Sequence, residues 1–160
     1  VGAHPMVGSH ERGIKAACPC LYKEGTVILT RTAKTCSASY KRAKRFWNRI
    51  ARQVVSLTPE AHDKLVAEIS HLPHALAACL VHAASKKALL AATGFRDTTR
   101  IAASAPSVWV PIFGANRREV LTGIASFEKE LKKFKKLLRS GKPGTLESYL
   151  EAARKVRQAL

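Results

Sequence analysis

Acidic residues are scarce in this chain: 11 Asp and Glu stand against 28 Lys and Arg, a formal net charge of +17. An excess of positive charge this large favours an anionic partner, which could be nucleic acid, a membrane surface or an anionic small molecule. Long apolar runs are also lacking. The longest one, Ala75–Ala84, is too short to cross a bilayer and contains His82. No secretory signal begins the sequence. We therefore expect a cytoplasmic protein without a membrane partner.

A disulfide framework and a metal motif are missing as well. The four cysteines show no framework spacing, and no second pair follows Cys18-Pro19-Cys20 at the distance that metal ligands need. The pattern HExxH does not occur. We predict structural or surface cysteines in a reducing compartment and no metal site; the cysteines are Cys18, Cys20, Cys36 and Cys79.

An initiator methionine is absent too. Val1 opens a Gly- and Pro-containing stretch without a helix cap. We expect the chain to be a fragment of a longer protein. Its 160 residues suffice for one domain together with part of another.

The first third predicts a βαβ unit. Residues 1–25 read as loop, and Thr26–Thr30 forms a β-branched strand. A helix should begin at Ser37 or Ser39 and run to about Arg52, followed by a strand at Gln53–Leu57. Such strands pair in parallel within a larger sheet. The predicted inner face of the helix contains Phe46, Trp47 and Ile50.

The chain reads as helical from Thr58 onward. Thr58-Pro59-Glu60 combines a cap, a first-turn proline and an acidic residue at the positive helix end. One predicted stripe faces a core and contains Leu65, Ile69, Leu72, Leu76 and Leu80. The opposite face is small and histidine-bearing, with Ala67, His71, His74, Ala78 and His82. Pro73 should kink this helix.

A second long helix should open at Pro106, and its apolar seam continues to Leu138. Gly141–Gly144 ends it, and a last helix starts at Thr145. These helices carry more apolar surface than one small bundle needs, which predicts a homodimer. Basic residues between the seam positions read as a solvated face, because their aromatic neighbours lie in the seam and not among them. They are Lys129, Lys132, Lys133, Lys135, Lys136 and Arg139.

Two clusters could carry chemistry. His71 and His74 flank Pro73, and imidazoles exchange protons near neutral pH. They are either structural histidines of a helix or functional ones. Arg96, Asp97 and Arg100 form either a surface ion pair or a carboxylate-binding site, since Arg grips carboxylates with two parallel hydrogen bonds.

Four motifs in order and register resemble the prephenate dehydrogenase family. They are Ala3-His4-Pro5-Met6-Val7-Gly8-Ser9, Ser70-His71-Leu72-Pro73-His74, Gly94-Phe95-Arg96-Asp97-Thr98-Thr99-Arg100-Ile101-Ala102 and Pro106-Ser107-Val108-Trp109. The resemblance covers essentially the whole chain, and arogenate and cyclohexadienyl dehydrogenases share it. It implies a mainly α chain, with a βαβ remnant of a Rossmann-like nucleotide-binding domain at 1–57 and a helical dimerisation domain at 58–160.

The resemblance also implies the chemistry: oxidative decarboxylation of prephenate, with hydride passing to NAD⁺ or NADP⁺. His4 matches the family's base and Arg100 the arginine that binds the ring carboxylate. His74 matches a substrate contact, and Asp97 and Trp109 match residues of the substrate pocket. Ser70, His71 and Ser9 are expected to support the site.

Two departures qualify the resemblance. The fingerprint GxGxxG is absent, so no cofactor-binding residue can be named in this chain. His10 stands where many relatives carry an acid. The family also uses a serine from its nucleotide domain, which we expect upstream of Val1. Arogenate dehydrogenase is one alternative function, and a basic non-enzymatic helical dimer that binds nucleic acid is another.

Overall fold

The computed structural model describes residues 1–7, 18 and 20–159. Within them the chain forms two compact units, Val1–Val120 and Leu121–Leu160. The first contains a small sheet and most of the helices, and the second is a helical hairpin. The expected class, a sheet remnant followed by a helical domain, is confirmed.

Three strands form the sheet in the order β1 (Gly2–Met6), β2 (Thr26–Thr30) and β3 (Gln53–Leu57). Strands β2 and β3 have the predicted bounds and pair in parallel, so the βαβ unit is confirmed. Its core is the centre of β2, where Val27, Ile28 and Leu29 are fully buried.

Strand β1 corrects the prediction of a loop over residues 1–25. It pairs antiparallel with β2, with Gly2 opposite Thr30 and Met6 opposite Thr26. This strand was not predicted, because its sequence contains glycine and proline and lacks β-branched residues. Pro5 is tolerated because β1 has a described neighbour on one side only, as proline requires in a sheet.

Helix α1 spans Ser37–Trp47 and crosses from β2 to β3. It ends five residues before the predicted Arg52, and the predicted inner face is wrong for Phe46 and Ile50, which are exposed. The helix is attached elsewhere, by a hydrogen bond between the hydroxyls of Tyr40 and Ser56 on β3.

The next helical segment contains an irregular turn. Helix α2 (Pro59–Val66) leads into a π-helical turn at Ala67–His71, and α3 (Leu72–Ala84) follows. The predicted cap is confirmed, since the Thr58 hydroxyl accepts a hydrogen bond from the Ala61 N–H at 3.2 Å. Pro73 lies two residues after the π turn, at whose end the Leu72 N–H donates to the Ala67 carbonyl five residues back. The wider turn accommodates the proline within a continuous helix.

The predicted leucine stripe is not the buried face of this segment. Ile69 is 57% exposed and Leu80 is 39% exposed. The buried side chains are Val66, Ala67, His71, His74 and Ala77. A π turn holds one extra residue, so an ideal 3.6-residue wheel loses its phase across Ala67–His71. The small, histidine-bearing face can also approach its neighbours more closely than a leucine stripe can.

The continuous helix Pro59–Lys87 extends well beyond Ala75–Ala84, the apolar stretch on which the sequence-based exclusion of a membrane span rested. With 29 residues it is long and apolar enough, by length and composition, to cross a membrane. Its buried face carries two histidines and the helix packs against β2, β3 and α4. We therefore assign it as the central helix of the first unit.

The remaining elements follow in sequence. They are a 3-10 turn at Ser85–Leu90, α4 (Thr93–Thr99), a 3-10 turn at Arg100–Ala103, α5 (Pro106–Ala115), α6 (Arg117–Ser140) and α7 (Pro143–Gln158). The single helix predicted from Pro106 to Leu138 is therefore two. Asn116 separates them, because its backbone (φ −111°, ψ 29°) leaves the helical region and its side chain donates to the Asp63 carbonyl at 2.7 Å.

In the second unit, Gly141 connects α6 to α7. Its φ of +61° is the left-handed conformation that terminates a helix, so α6 ends where predicted. Helix α7 begins at Pro143, two residues before the predicted Thr145. The Tyr149 hydroxyl donates to a Glu130 carboxylate oxygen at 3.2 Å. The basic residues of α6 are exposed, as predicted. Apolar side chains are exposed as well, at Leu121, Phe127, Leu131, Leu138, Leu150 and Val156.

Two of the cysteines form a disulfide, which the spacing of the cysteines did not predict. Cys18 and Cys20 form a disulfide, with Cα atoms 5.4 Å apart, within the range that a disulfide can bridge. Residues two apart fall outside framework spacing, which is why the pattern did not indicate them. Cys36 and Cys79 are unpaired and exposed.

Candidate functional site

The candidate site lies at the edge of the sheet where β1 begins and β2 and β3 end. Gly2 is paired with Thr30, and Thr30 with Leu57, so these three chain ends are neighbours. Helix α2 starts two residues after β3. This geometry brings the first residues of β1 next to the first turn of α2, at the carboxyl edge of the parallel strands, where open α/β sheets bind ligands.

Three side chains at this edge form a hydrogen-bonded series. The His4 Nδ1 lies 2.8 Å from the His62 Nε2. The His62 Nδ1 lies 2.8 Å from an Asp63 carboxylate oxygen. His4 comes from the sheet, whereas the other two come from α2, so the series ties the sheet to the helix. An open cleft of about 390 Å³ adjoins it, lined by Gly2, Ala3, His4, Thr30, Pro59, His62 and Asp63.

The second part of the site is an aromatic cluster in which His71 of the π turn and His74 of α3 meet Trp109 and Phe113 of α5. His74 is only 5% exposed and its ring stacks on that of Trp109, with centroids 3.5 Å apart and planes inclined by 13°. His71 is also buried and meets the Trp109 ring edge-on at 6.1 Å. Phe113 completes the cluster, with its ring 6.0 Å from His74. The His74 Nδ1 is buried without a hydrogen-bond partner among the described residues.

Asn116 links the two parts. Its side-chain amide donates to the Asp63 carbonyl at 2.7 Å and lies 3.4 Å from the His71 Nδ1. An amide N–H facing that nitrogen requires it to accept, which places the proton of neutral His71 on Nε2. The break between α5 and α6 therefore has a role, since it carries the side chain that orients His71.

Three histidines of the site are held toward their neutral forms. Burial, and then the proximity of His62, lowers the pKa of His4. Burial also lowers the pKa of His71, followed by the charges of His4 and His62, whereas Asp63 raises it. Burial alone lowers the pKa of His74. The charges of His4, His62 and Asp63 therefore act on His71, whereas no charged group contributes to the shift at His74. A neutral imidazole can accept a proton, so the site is suited to a general base near neutral pH.

The arginine motif lies nearby but remains separate. Arg96 and Asp97 are on α4, and Arg100 begins the 3-10 turn that packs against α3. All three are exposed. Within residues 1–7, 18 and 20–159 they form neither the ion pair considered above nor a hydrogen bond to the histidines. Arg100 thus presents a guanidinium whose donors are available to an anionic ligand.

The other predicted residues divide into two groups. Ser70 is half-buried in the π turn beside His71. Ser9 and His10 lie outside the described residues. In the part of the chain that the structure covers, no three His, Cys, Asp or Glu side chains converge as metal ligands.

Sequence reasoning missed His62, Asp63 and Asn116. A signal for the first two existed, because a His-Asp pair in the first turn of a helix after a parallel strand lies at the functional edge of the sheet. This signal could be used only if β1 was recognised as a strand that brings His4 to the same edge, and residues 1–25 were predicted as loop. For Asn116 the only signal was a helix-terminating residue within an apolar seam.

Comparison with known proteins places both parts of the chain in one family. Residues 1–56 match the family model for the prephenate dehydrogenase nucleotide-binding domain. Residues 58–152 match the model for the prephenate dehydrogenase dimerization domain.

Similar proteins carry related names. The chain is 34% identical to a prephenate dehydrogenase of Bacillus subtilis, covering all of this chain and 45% of that protein. It is 32% identical to a cyclohexadienyl dehydrogenase of Zymomonas mobilis, covering all of this chain and 57% of that protein. The chain thus spans about half the length of the curated relatives it matches.

A solved structure also resembles it closely. Prephenate dehydrogenase from A. aeolicus, in complex with hydroxyphenyl propionate and NAD⁺, superposes with a TM-score of 0.91 at 34% identity. The match covers 99% of this chain and 58% of that one. A protein similar to this chain thus binds NAD⁺. The model of a nucleotide-binding domain matches the first part of this chain.

The described residues do not contain a site for the cofactor's phosphates. The sequence has no GxGxxG turn, and the one described glycine with positive φ, Gly141, lies between α6 and α7. No residue of this chain is therefore assigned to the pyrophosphate.

Proposed function

We propose, since the chain belongs to the prephenate dehydrogenase family, that it supplies the substrate-binding part of an enzyme that oxidises and decarboxylates prephenate to 4-hydroxyphenylpyruvate. The observation that carries this proposal is the placement of His4 beside an open cleft of about 390 Å³, at the carboxyl edge of the parallel strands. A neutral imidazole facing a cleft is what removal of a hydroxyl proton requires.

In this mechanism His4 accepts the proton of the substrate's 4-hydroxyl group as a hydride leaves the same carbon for NAD⁺ or NADP⁺. The electrons of the O–H bond form the carbonyl. The bond from the ring to its carboxylate then breaks, carbon dioxide leaves, and its bonding pair completes the aromatic ring as the carbonyl oxygen becomes a phenolate. That oxygen takes back the proton held by His4, which gives the phenol and restores the neutral imidazole. Lowering the pKa of His4 keeps the base unprotonated near neutral pH.

Arg100 is proposed to bind the ring carboxylate. Its guanidinium is exposed and has no ion-pair partner among the described residues, and Arg binds carboxylates in a bidentate manner. We propose His74 as a substrate contact, because its stacked ring is fixed while its Nδ1 lacks a partner. Trp109 holds that ring in place.

The remaining residues are proposed to support the site. Asp97 lies on the same helical turn as Arg96, one turn before Arg100, and can orient the arginine when substrate is bound. Ser70 and His71 belong to the π turn and position His74. Ser9 is retained as a supporting residue on its motif alone.

We propose a domain boundary at residues 57/58, with 1–57 belonging to a Rossmann-like NAD- or NADP-binding domain. The two family models meet at this position, which supports it. The boundary also falls between the end of β3 and the cap of α2. The boundary separates the two sequence models and does not separate two compact units, because residues 1–57 and 58–120 belong to the same unit.

The test of the function compares two arginines in the complete enzyme. Arg100→Ala should raise KM for prephenate on the order of 10-fold to 100-fold, the equivalent of about 1.5–3 kcal/mol for hydrogen bonds to a charged group. Arg96→Ala is the matched control, since that arginine is equally exposed one turn earlier. Production of the reduced cofactor and release of carbon dioxide are measured together.

Equal effects of the two substitutions, or an unchanged KM for Arg100→Ala, would contradict the assignment of Arg100. Absence of prephenate-dependent turnover in the unmodified enzyme would contradict the function itself. Turnover with arogenate in place of prephenate would identify the arogenate-specific alternative, because the two substrates differ in the side chain and not in the reacting ring.

We propose that the enzyme is a cytoplasmic homodimer. The model for a dimerization domain matches residues 58–152, and apolar side chains such as Leu131 and Leu150 are exposed on α6 and α7. Exposed apolar surface of this kind favours association. Sedimentation equilibrium should give twice the chain mass, and Leu131→Glu should lower it to that of a monomer. A monomeric unmodified protein would contradict the dimer.

A further inference from the structure

We propose that His62 and Asp63 position His4, by fixing its ring proton on Nδ1 and leaving Nε2 as the proton acceptor. The inference rests on the proposed function, because it assigns a purpose to His4 as a base. His62 and Asp63 are positioning residues, since they act through His4 and not on the substrate.

The first step is the donor and acceptor assignment at Asp63. An ionised carboxylate can only accept hydrogen bonds. The His62 Nδ1, 2.8 Å from the Asp63 oxygen, must therefore carry a proton. In neutral His62 the other nitrogen, Nε2, is then bare and can only accept.

The second step transfers this constraint to His4. Its Nδ1 lies 2.8 Å from the His62 Nε2, so a hydrogen bond between them requires the proton to be on the His4 Nδ1. The Nε2 of neutral His4 is consequently unprotonated. Free imidazole side chains favour the opposite tautomer, with the proton on Nε2, in which this nitrogen could not act as a base. The series from Asp63 thus selects the reactive form of His4.

The third step concerns the charge that the reaction creates. When His4 takes the substrate proton on Nε2, it becomes an imidazolium whose Nδ1–H still donates to His62. The Asp63 carboxylate stabilises that positive charge through its hydrogen bond to His62, and solvent screens part of the effect because the Asp63 side chain is 54% exposed.

The surrounding structure holds this series in place. Asn116 donates to the Asp63 backbone carbonyl at 2.7 Å, which fixes the middle of α2 relative to the end of α5. The Thr58 cap fixes the start of the same helix. His4 comes from β1, whose register with β2 is defined by five pairs. Each of the three side chains is therefore attached to a regular element.

The test measures the tautomer of His4 directly. The chain is labelled with ¹⁵N-histidine, and two-bond ¹H–¹⁵N correlation spectra at pH 8 report which ring nitrogen is protonated. We expect the Nδ1–H form for His4. In His62→Leu, which removes the acceptor, the signals should change to those of the Nε2–H form. Asp63→Asn preserves side-chain volume and should give a mixture, whereas Glu60→Gln, the matched loss of one charge on the same helix, should change nothing.

Kinetics of the complete enzyme separate positioning from a structural role. His62→Leu should lower kcat on the order of 10²-fold with KM unchanged, at the lower end of the range for general acid–base catalysis. His62→Gln, whose carbonyl oxygen can still accept from Nδ1, should recover most of that loss. Equal losses in the two variants, or an effect on KM alone, would overturn the proposal.

The failures are distinguishable. An Nε2–H tautomer in the unmodified chain overturns the positioning role of His62 and Asp63, whatever the enzyme's activity. Absence of prephenate turnover together with an Nδ1–H tautomer overturns the proposed function and with it the purpose assigned to His4 as the base. The spectra of His62→Gln keep the first test available if His62→Leu does not fold.

Discussion

Replacing His74 by phenylalanine should stabilise the protein while removing a substrate contact. The Nδ1 of His74 is buried without a partner among the described residues, and an unsatisfied buried polar atom costs about 1–3 kcal/mol. A phenylalanine ring keeps the stack on Trp109, which contributes about 0.5–1.5 kcal/mol beyond burial. We therefore expect His74→Phe to raise the free energy of unfolding by about 1–2 kcal/mol.

The pH dependence of stability should change in the same variant. Burial lowers the pKa of His74 in the folded protein, so below pH 6.5 the unfolded chain binds the proton more readily. The stability associated with neutral His74 is fully present above that value and is lost as pH falls toward the lowered folded pKa. His74→Phe should remove this contribution. The slope of unfolding free energy against pH should decrease by up to about 1.4 kcal/mol per pH unit.

Urea denaturation at pH 7.5 and pH 5.5, at one protein concentration, measures both effects. His82→Phe is the control, because His82 is an exposed histidine on the same helix. Exposed substitutions change stability by about 0.5 kcal/mol at most. A loss of stability in His74→Phe at pH 7.5, or the same pH slope as in the unmodified protein, would refute the reasoning.

Three further predictions follow from single features. Asn116→Ala should reduce the unfolding free energy by about 1–3 kcal/mol in urea denaturation, because it leaves the Asp63 carbonyl without that donor; no change would contradict the role of Asn116. Thiol titration of native, unreduced protein should find the two exposed thiols of Cys36 and Cys79, and four after reduction; four thiols before reduction would exclude the Cys18–Cys20 disulfide. Calorimetry should detect no appreciable NAD⁺ binding to this chain alone, because it lacks the phosphate-binding turn; tight binding would overturn the domain assignment.

The regular part of the fold was accessible from local signals. Runs of β-branched residues identified β2 and β3 with their observed bounds, and Thr58-Pro59 identified the start of the central helix. These signals work because propensity, capping and hydrophobicity agree over a few residues. Strand β1 lacked them, since an edge strand with glycine and proline is specified by its pairing with β2.

The error at the central helix has a different origin. Periodicity assumes 3.6 residues per turn, and the π turn at Ala67–His71 contains one more. Which face of this helix is buried also depends on the neighbour that packs against it. Nothing in the sequence showed that Trp109 packs against the histidine face and not against the leucine face.

The motifs identified the candidate residues, but they did not show which of these residues contact one another. His4, His71 and His74 were found by resemblance, whereas His62, which binds His4 directly, required the register of β1. Long-range pairing of this kind is set by tertiary contacts and leaves no local pattern. Asn116 is the same case, since its partner Asp63 lies 53 residues away.

His4 is proposed as the base of a prephenate-oxidising site, and steady-state kinetics of His4→Asn test this role most directly. In the complete enzyme at pH 7.5 we expect kcat to fall by about 10²-fold to 10⁴-fold, the range for a general base, with KM for prephenate unchanged. Small and equal changes in kcat and KM would contradict the claim.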